Sequence, residues 1–95
     1  MSRIETLLTK KLTNVFKALA NQRRLTIIKL LANNSISVSD LSRELKVTIK
    51  SASKHLGKLE RENLIHKEQK GKFVMYQISN TFKKSGLMNQ IKKSK

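Results

Sequence analysis

Four cationic residues recur at helical spacing within the segment TIKSASKHLGKLERENLI, which covers residues 48–65: Lys50, Lys54, Lys58 and Arg61. Spacings of four, four and three residues place their side chains on one side of an α-helix. The other side carries apolar residues: Ala52, Leu56 and Leu59. Ammonium and guanidinium groups donate hydrogen bonds to phosphate oxygens and to guanine O6 and N7. This cationic stripe is therefore a candidate polyanion-binding surface, and the alternative is a solvated helix face.

The net charge is the strongest signal in the composition. The 95-residue chain has 21 Lys and Arg against 6 Asp and Glu, which gives a formal net charge of +15 at pH 7. Such an excess favours a polyanionic partner, with nucleic acid first and an anionic membrane surface second. A helix that binds a membrane surface would present exposed aromatic residues, and Trp is absent. We therefore expect a nucleic acid and no membrane partner.

Several classes of site are excluded by composition. The chain has no Cys, which rules out disulfides, thiolate metal sites, thiol sensors and cysteine nucleophiles. No apolar run approaches the roughly 20 residues of a membrane span, and MSRIETLL lacks the apolar core of a signal peptide. No carboxylate pair, nucleophile with a base, or glycine-rich phosphate loop indicates an enzyme. We expect a cytoplasmic, nucleoid-associated protein without catalytic activity or a cofactor.

The N-terminal half of the chain shows the 3.6-residue period of helices. Apolar residues predict a first helix from Ile4 through four turns, and Asn21 can cap a second helix over residues 22–32. Apolar residues cover most of the circumference of the second helix, which should therefore be the most buried element. The segment NNS at residues 33–35 ends it.

Two further helices follow, joined by a short turn. Ser37 and Asp40 stand in capping-box relation and open a short helix that ends near Lys46. Thr48 is a good N-cap for the helix with the cationic stripe, which should end near Asn63. A short helix, a tight turn and a polar second helix make a helix-turn-helix over residues 37–63.

The period then changes from 3.6 to 2, which predicts two strands. LIHKEQ and KFVMYQIS flank Lys70 and Gly71, the expected tip of a hairpin over residues 64–78. Residues 79–95 are predicted to form a final helix. The fold class is thus mostly α with a β-hairpin, a winged helix-turn-helix of order ααααββα, and residues 1–95 make a single domain.

Three stretches in this order resemble the ArsR-type family of winged-helix repressors: FKALANQRRLTIIKLL, VSDLSRELKVTIKSASKHLGKLERENLI and GKFVMYQI. The resemblance covers about residues 15–78. It implies a symmetric dimer held by the first and last helices, with two recognition helices in successive major grooves of double-stranded DNA. Many members also bind a metal ion or respond to oxidants, which releases the DNA.

The metal sites of that family are missing from this sequence. Ser37 and Ser39 stand where the best-known site of the family has two cysteines. A second known site uses Asp and His residues on the last helix, but residues 79–95 contain no Asp, Glu or His. Hydroxyl and ammonium groups do not replace thiolate and imidazole as ligands of soft or borderline metals. We predict a member without a metal or thiol sensor. A small-molecule effector is unknown from the sequence.

The resemblance places the base-reading residues in the first turns of the helix after Thr48: Ile49, Lys50, Ser51, Ser53 and Lys54. Lys50 and Lys54 can donate to guanine, and the serines can bond to several bases. Ile49 either contacts thymine methyl groups or folds back onto the core. His55 packs or touches a phosphate, and Lys58 and Arg61 suit phosphate better than bases.

Cations outside the recognition helix have two interpretations each. Lys67, Lys70 and Lys72 surround Gly71 at the wing tip, where they either contact the DNA backbone or minor groove or protect an edge strand. Arg23 and Arg24 open the second helix against its dipole, which suggests an external phosphate. For Arg24, a structural bond to a carboxylate such as that of Asp40 competes.

Apolar residues on both terminal helices, residues 1–20 and 79–95, predict the homodimer interface: Ile4, Leu7, Leu8, Leu12, Phe82, Leu87 and Ile91. Lysines from residue 83 to Lys95 would surround it. The function that fits best is a sequence-specific transcriptional regulator, and we expect it to be a repressor. An architectural, chromatin-like protein with the same fold is the alternative, and RNA binding is a weaker one because few aromatic residues are free to stack on bases.

Overall fold

The computed structural model describes residues 2–93, so the expectation for Lys95 lies outside the described residues. The helices and strands follow one another in the order ααβααββαα. The helices are α1 (Arg3–Leu19), α2 (Gln22–Leu31), α3 (Val38–Leu45), α4 (Ile49–Arg61), α5 (Asn80–Lys83) and α6 (Gly86–Lys93). The strands are β1 (Ile36–Ser37), β2 (Ile65–Lys70) and β3 (Phe73–Ile78). The predicted fold class, a mostly helical winged helix-turn-helix, is confirmed.

Side-chain caps start the helices where the sequence predicted them. The Asn21 side chain accepts from the backbone N–H of Arg24 at 3.1 Å and opens α2. The Thr48 hydroxyl accepts from the backbone N–H of Ser51 at 3.0 Å and opens α4. Each cap satisfies one of the free amides of a first turn. Since the caps are local, these boundaries follow from the sequence alone.

The helix-turn-helix is α3, the turn at residues 46–48, and α4. Lys46 ends α3 in the left-handed conformation, with φ of 57°, and its N–H donates to carbonyls of the last turn. Ser37 caps α3, accepting from the N–H of Asp40 at 3.2 Å. The carboxylate of Asp40 pairs with Arg43 rather than completing a capping box.

The wing is part of a three-stranded antiparallel sheet with strand order β1-β3-β2. Strand β1 was not predicted, because two residues carry no period of their own. Lys70 pairs with Phe73 across the hairpin, so the turn consists of Gly71 and Lys72, one residue later than predicted. Gly71 has φ of 60°, which an L side chain rarely adopts.

The core surrounds α2, which contacts α1, α3, α4, β3 and α6. Ile27 and Ile28 of α2 are inaccessible to solvent. They pack in a cluster with fully buried residues of the helix-turn-helix: Leu41, Leu56 and Leu59. Burial of each such side chain is worth about 1.5–3 kcal/mol. This packing fixes the orientation of α4 relative to the rest of the chain.

The C-terminal segment differs from the single helix that was predicted. Ser79 caps the short α5, and Ser85 donates to the carbonyl of Phe82 and accepts from the N–H of Met88, so the segment breaks into α5 and α6. Phe82 and Ile91 are buried in the core of one chain, with 5% and 8% exposed, which corrects their assignment to a dimer interface. Leu87 is half-buried against the same core.

A buried arginine joins three helices. Arg24 is 8% exposed, and its guanidinium donates to the carbonyl of Ala18 at 2.5 Å and to that of Lys17 at 3.3 Å. Its Nη1 lies 3.4 Å from Nδ1 of His55 on α4. Its donors therefore serve helix carbonyls, and Asp40, the carboxylate that the sequence suggested, is not its partner. The phosphate contact suggested for Arg24 stays a prediction.

Arg24→Ala should lower the free energy of unfolding by about 2 kcal/mol or more, because two carbonyls at the end of α1 lose a charged donor. Arg23→Ala removes the same charge one residue earlier, from an exposed side chain, and should change it by less than about 0.5 kcal/mol. Urea denaturation followed by circular dichroism measures both values. Equal losses would contradict the structural role of Arg24.

Candidate nucleic-acid interface

The cationic stripe lies on the exposed face of α4. Lys50, Lys54, Lys58 and Arg61 are exposed, whereas Ala52, Leu56 and Leu59 on the opposite face are fully buried. Within residues 2–93, the Arg43–Asp40 pair is the one salt bridge within 4 Å, so no carboxylate neutralises the stripe. Like charges on adjacent turns repel one another. The face is thus open and positively charged, as an anion-binding surface requires.

The first turn of α4 offers polar and apolar groups together. Ile49 is 53% exposed, so it does not fold back onto the core, and its contact with thymine methyl groups stays a prediction. Ser53 is exposed and Ser51 is half-buried. The hydroxyl of Thr48 is held as the helix cap. The positive end of the helix dipole adds to the attraction for phosphate at this point.

His55 is half-buried at the junction of α4 with α2. Burial lowers the pKa of its imidazole below the usual 6.5, and the charges of Arg24, Arg23, Lys58 and Lys54 lower that pKa further. Because a guanidinium can only donate, Nδ1 faces Arg24 as the acceptor and the proton sits on Nε2. A neutral imidazole in this tautomer has an N–H free for a second partner.

The wing presents its cations on two faces. Directly paired residues of a hairpin share a face of the sheet, so Lys70 lies beside Phe73, whereas Lys67 lies beside the buried Tyr76. Lys72 is in the turn. The cations of the tip are therefore Lys70 and Lys72, and Lys67 is separated from them on the opposite face. Phe73 is 61% exposed beside Lys70, a feature that strand alternation did not mark.

The structure also tests the fit of a metal at the start of α3. The hydroxyl of Ser37 is the cap of that helix, and Ser39 is an exposed residue in its first turn. Neither oxygen is a ligand that a soft metal prefers. Among residues 2–93 no group of three or more His, Asp and Glu side chains converges. These residues do not fit the metal that the family resemblance implies.

Sequence reasoning missed a cleft between α1 and α4. Asn14 and Lys17 of α1 line it, opposite Lys58 and Arg61 of α4. Lys17 is more than 40 residues away from Lys58 along the chain. No local motif links such distant positions, so only the packing of α1 against α4 brings them together.

The depressed pKa of His55 predicts how stability depends on pH. The unfolded chain binds a proton to this imidazole more readily than the folded chain, so the free energy of unfolding falls as the pH drops below about 6.5. His55→Gln should reduce this loss. Urea denaturation at several pH values from about 5 to 8 compares the two proteins, and an unchanged pH dependence would contradict the assignment.

No helix in the described part of the chain combines the length and the apolar composition of a membrane span. The profile of the family described as "Bacterial regulatory protein, arsR family" matches residues 21–67. The match begins at the N-cap of α2 and ends within β2, so it contains the whole helix-turn-helix.

Two relatives extend the likeness beyond that segment. The transcriptional activator HlyU of Vibrio cholerae is 37% identical over 67 residues, which are 70% of this chain and 62% of HlyU. The chain thus spans less than two thirds of that relative. The arsenical resistance operon repressor of Bacillus subtilis is 38% identical over 84 residues, which are 87% of this chain and 79% of that repressor.

The fold has a solved counterpart. A homodimeric winged helix-turn-helix DNA-binding domain from Mycobacterium bovis, described as a possible ArsR-family transcriptional regulator, was determined by solution NMR. Its TM-score is 0.83 at 26% identity, over 96% of this chain and 81% of that domain. From the matching helix-turn-helix, the relatives and the shared fold, we conclude that this chain belongs to the arsR family of bacterial regulatory proteins.

Proposed function

We propose that the protein is a sequence-specific regulator of transcription that binds double-stranded DNA, and that it acts as a repressor. The observation that carries this proposal is the exposed, unpaired cationic face of α4 within a helix-turn-helix. The basic tip of the adjacent hairpin and membership of the arsR family support it. Repression is favoured because the more broadly aligned of the two relatives is named a repressor.

The proposed contacts divide by position along α4. Its N-terminal turns would enter the major groove, where Lys50 and Lys54 donate to guanine and Ile49 meets thymine methyl groups. Ser51, Ser53 and Thr48 would bond to bases or to the adjoining phosphate. The remaining cations, which are Lys58, Arg61, Arg23, Lys70 and Lys72, would hold the DNA backbone. His55 would add a phosphate contact through its free Nε2–H.

An architectural role is the second candidate, and the net charge of +15 favours it. About half of the side chains in the proposed interface would contact phosphate, and phosphate contacts carry no sequence information. Such a protein would sit on the chromosomal DNA without preferring any site. In both roles the protein would act in the cytoplasm, associated with the nucleoid, as a binding protein rather than an enzyme.

We propose that the protein acts as a homodimer through α1. Residues 2–14 are all exposed, and α1 carries a stripe of exposed apolar side chains: Ile4, Leu7, Leu8, Leu12 and Phe16. Solvent contact of five large apolar residues on one helix is unfavourable unless a partner covers them. The related domain from M. bovis is described as homodimeric. A two-fold pair would present two α4 helices to successive major grooves.

Fluorescence anisotropy with the DNA upstream of the protein's own gene and a scrambled duplex, from 50 to 300 mM salt, tests the function. A site-specific regulator should prefer the upstream DNA by about a thousandfold or more. If both duplexes bind with equal affinity, and both affinities fall steeply with salt, the regulator proposal is wrong and the architectural role is favoured.

Two lysine variants separate base contacts from phosphate contacts. Lys50→Ala should cost about 1–3 kcal/mol on the preferred site and relax its sequence preference. Lys70→Ala should weaken all sequences alike and reduce the salt slope by about one unit for each phosphate that the lysine neutralises. Anisotropy on both duplexes measures the two effects. If Lys50→Ala weakens binding equally on both duplexes, Lys50 does not read bases.

Leu8→Glu should convert the dimer to a monomer, because it places a charge in the centre of the apolar stripe on α1. Thr6→Glu adds the same charge to an exposed position outside the stripe and is the matched control. Sedimentation velocity over a range of protein concentrations reports the mass. A dimeric Leu8→Glu protein, or a monomeric wild type, would refute the interface.

A further inference from the structure

The cleft between α1 and α4 is an open, mostly cationic site of about 290 Å³. Three exposed side chains with positive charge line it: Lys17, Lys58 and Arg61. None of them forms a salt bridge within 4 Å in the described part of the chain. Asn14 adds an uncharged donor, and Glu62 is the one carboxylate residue in the lining. Converging cations that the protein leaves unneutralised favour an external anion.

The position of Lys17 is fixed by the fold rather than by chance on the surface. The guanidinium of Arg24 donates to the carbonyls of Lys17 and Ala18 and contacts His55 of α4. Arg24 also lines the cleft. Because one buried side chain ties the end of α1 to α4, the backbone that carries Lys17 is held beside the cationic stripe.

From this arrangement we infer that the cleft binds a phosphate of the DNA backbone, with Asn14 and Lys17 as contacts contributed by α1. The inference rests on the proposed function and extends it from the helix-turn-helix and wing to a third element. Lys58 and Arg61 belong both to the cleft and to the exposed face of α4. A DNA strand that follows this face would therefore reach the cleft. That continuity favours DNA over a free phosphate as the source of the anion.

The two faces of α1 would then have separate partners. At about 100° per residue, Lys17 lies opposite Leu8, the centre of the apolar stripe, whereas Asn14 lies about 120° from Leu8, at the edge of the stripe beside Leu7. One face would meet the second copy of the chain, and the flank would meet the DNA. A dimer would therefore make the α1 contact twice on one operator.

Lys17→Gln is the first variant, and Lys10→Gln is its matched control. Lys10 is an exposed lysine two turns earlier on the same side of α1, about 10 Å from Lys17 along the helix axis, and does not line the cleft. The salt slope of DNA binding should fall by about 0.9 for each phosphate that is no longer neutralised, so by about 1.8 for a dimer. Lys10→Gln should leave it unchanged.

Asn14→Ala provides a second readout, since it removes a donor without changing the charge. It should weaken binding to all duplexes several-fold while the salt slope stays at the wild-type value. Equal slopes for Lys17→Gln and Lys10→Gln would overturn the inference and reduce Lys17 to bulk charge. Circular dichroism of each exposed-site variant shows whether it is folded.

NMR of the Asn14 side-chain amide distinguishes a phosphate of the DNA backbone from a free phosphate as the ligand of the cleft. A DNA duplex should shift this signal. Inorganic phosphate at millimolar concentration and constant ionic strength should not produce a saturating shift. The reverse result would assign the cleft to a free phosphate and overturn the DNA contact. The wild-type preference for upstream over scrambled DNA is a separate measurement, so a failure of the regulator proposal is recognised independently of these variants.

Discussion

The buried guanidinium of Arg24 is the interaction on which the arrangement of the helices depends. It donates to two carbonyls at the end of α1, lies at the start of α2 and contacts His55 of α4. A buried charge is costly unless its donors are satisfied. The carbonyls at the helix end accept from it, and that of Lys17 also accepts from the N–H of Ala20 at 3.3 Å. The same contact therefore stabilises the charge and fixes α1 relative to the recognition helix.

The cationic face of α4 costs stability in the free protein. Among residues 2–93 its charges lie on successive turns without salt-bridge partners. Burial, and then the charges of Arg24, Arg23, Lys58 and Lys54, lower the pKa of His55. The opposite face compensates, since Leu56 and Leu59 are fully buried against α2. A helix held firmly by its apolar side can keep its other side charged and open. A bound polyanion would relieve this repulsion.

The first helix combines features that would serve different partners. Its exposed apolar stripe is unfavourable in water, and its cationic flank faces α4 across the cleft. Since α1 contacts both α2 and α4, any partner that covers the stripe also restrains the recognition helix. Dimerisation and DNA binding would therefore be coupled through one element.

Elements that depend on neighbouring residues could be predicted from the sequence. Helix caps at Asn21 and Thr48, the amphipathic period of α4 and the alternation of the hairpin are local, and each was predictable. The two-residue β1 and the break between α5 and α6 were not predicted, because neither is long enough to show a period of apolar residues. The turn of the wing was misplaced by one residue for the same reason.

The three-dimensional packing of the helices sets which side chains are buried and which distant side chains meet. Phe82 and Ile91 have the same period as an interface helix, yet they complete the core of one chain. Arg24 and Arg23 are adjacent and chemically identical, but one lies beneath α1 and the other faces solvent. Burial and long-range contact depend on how helices pack in three dimensions, and no spacing along the chain specifies that packing.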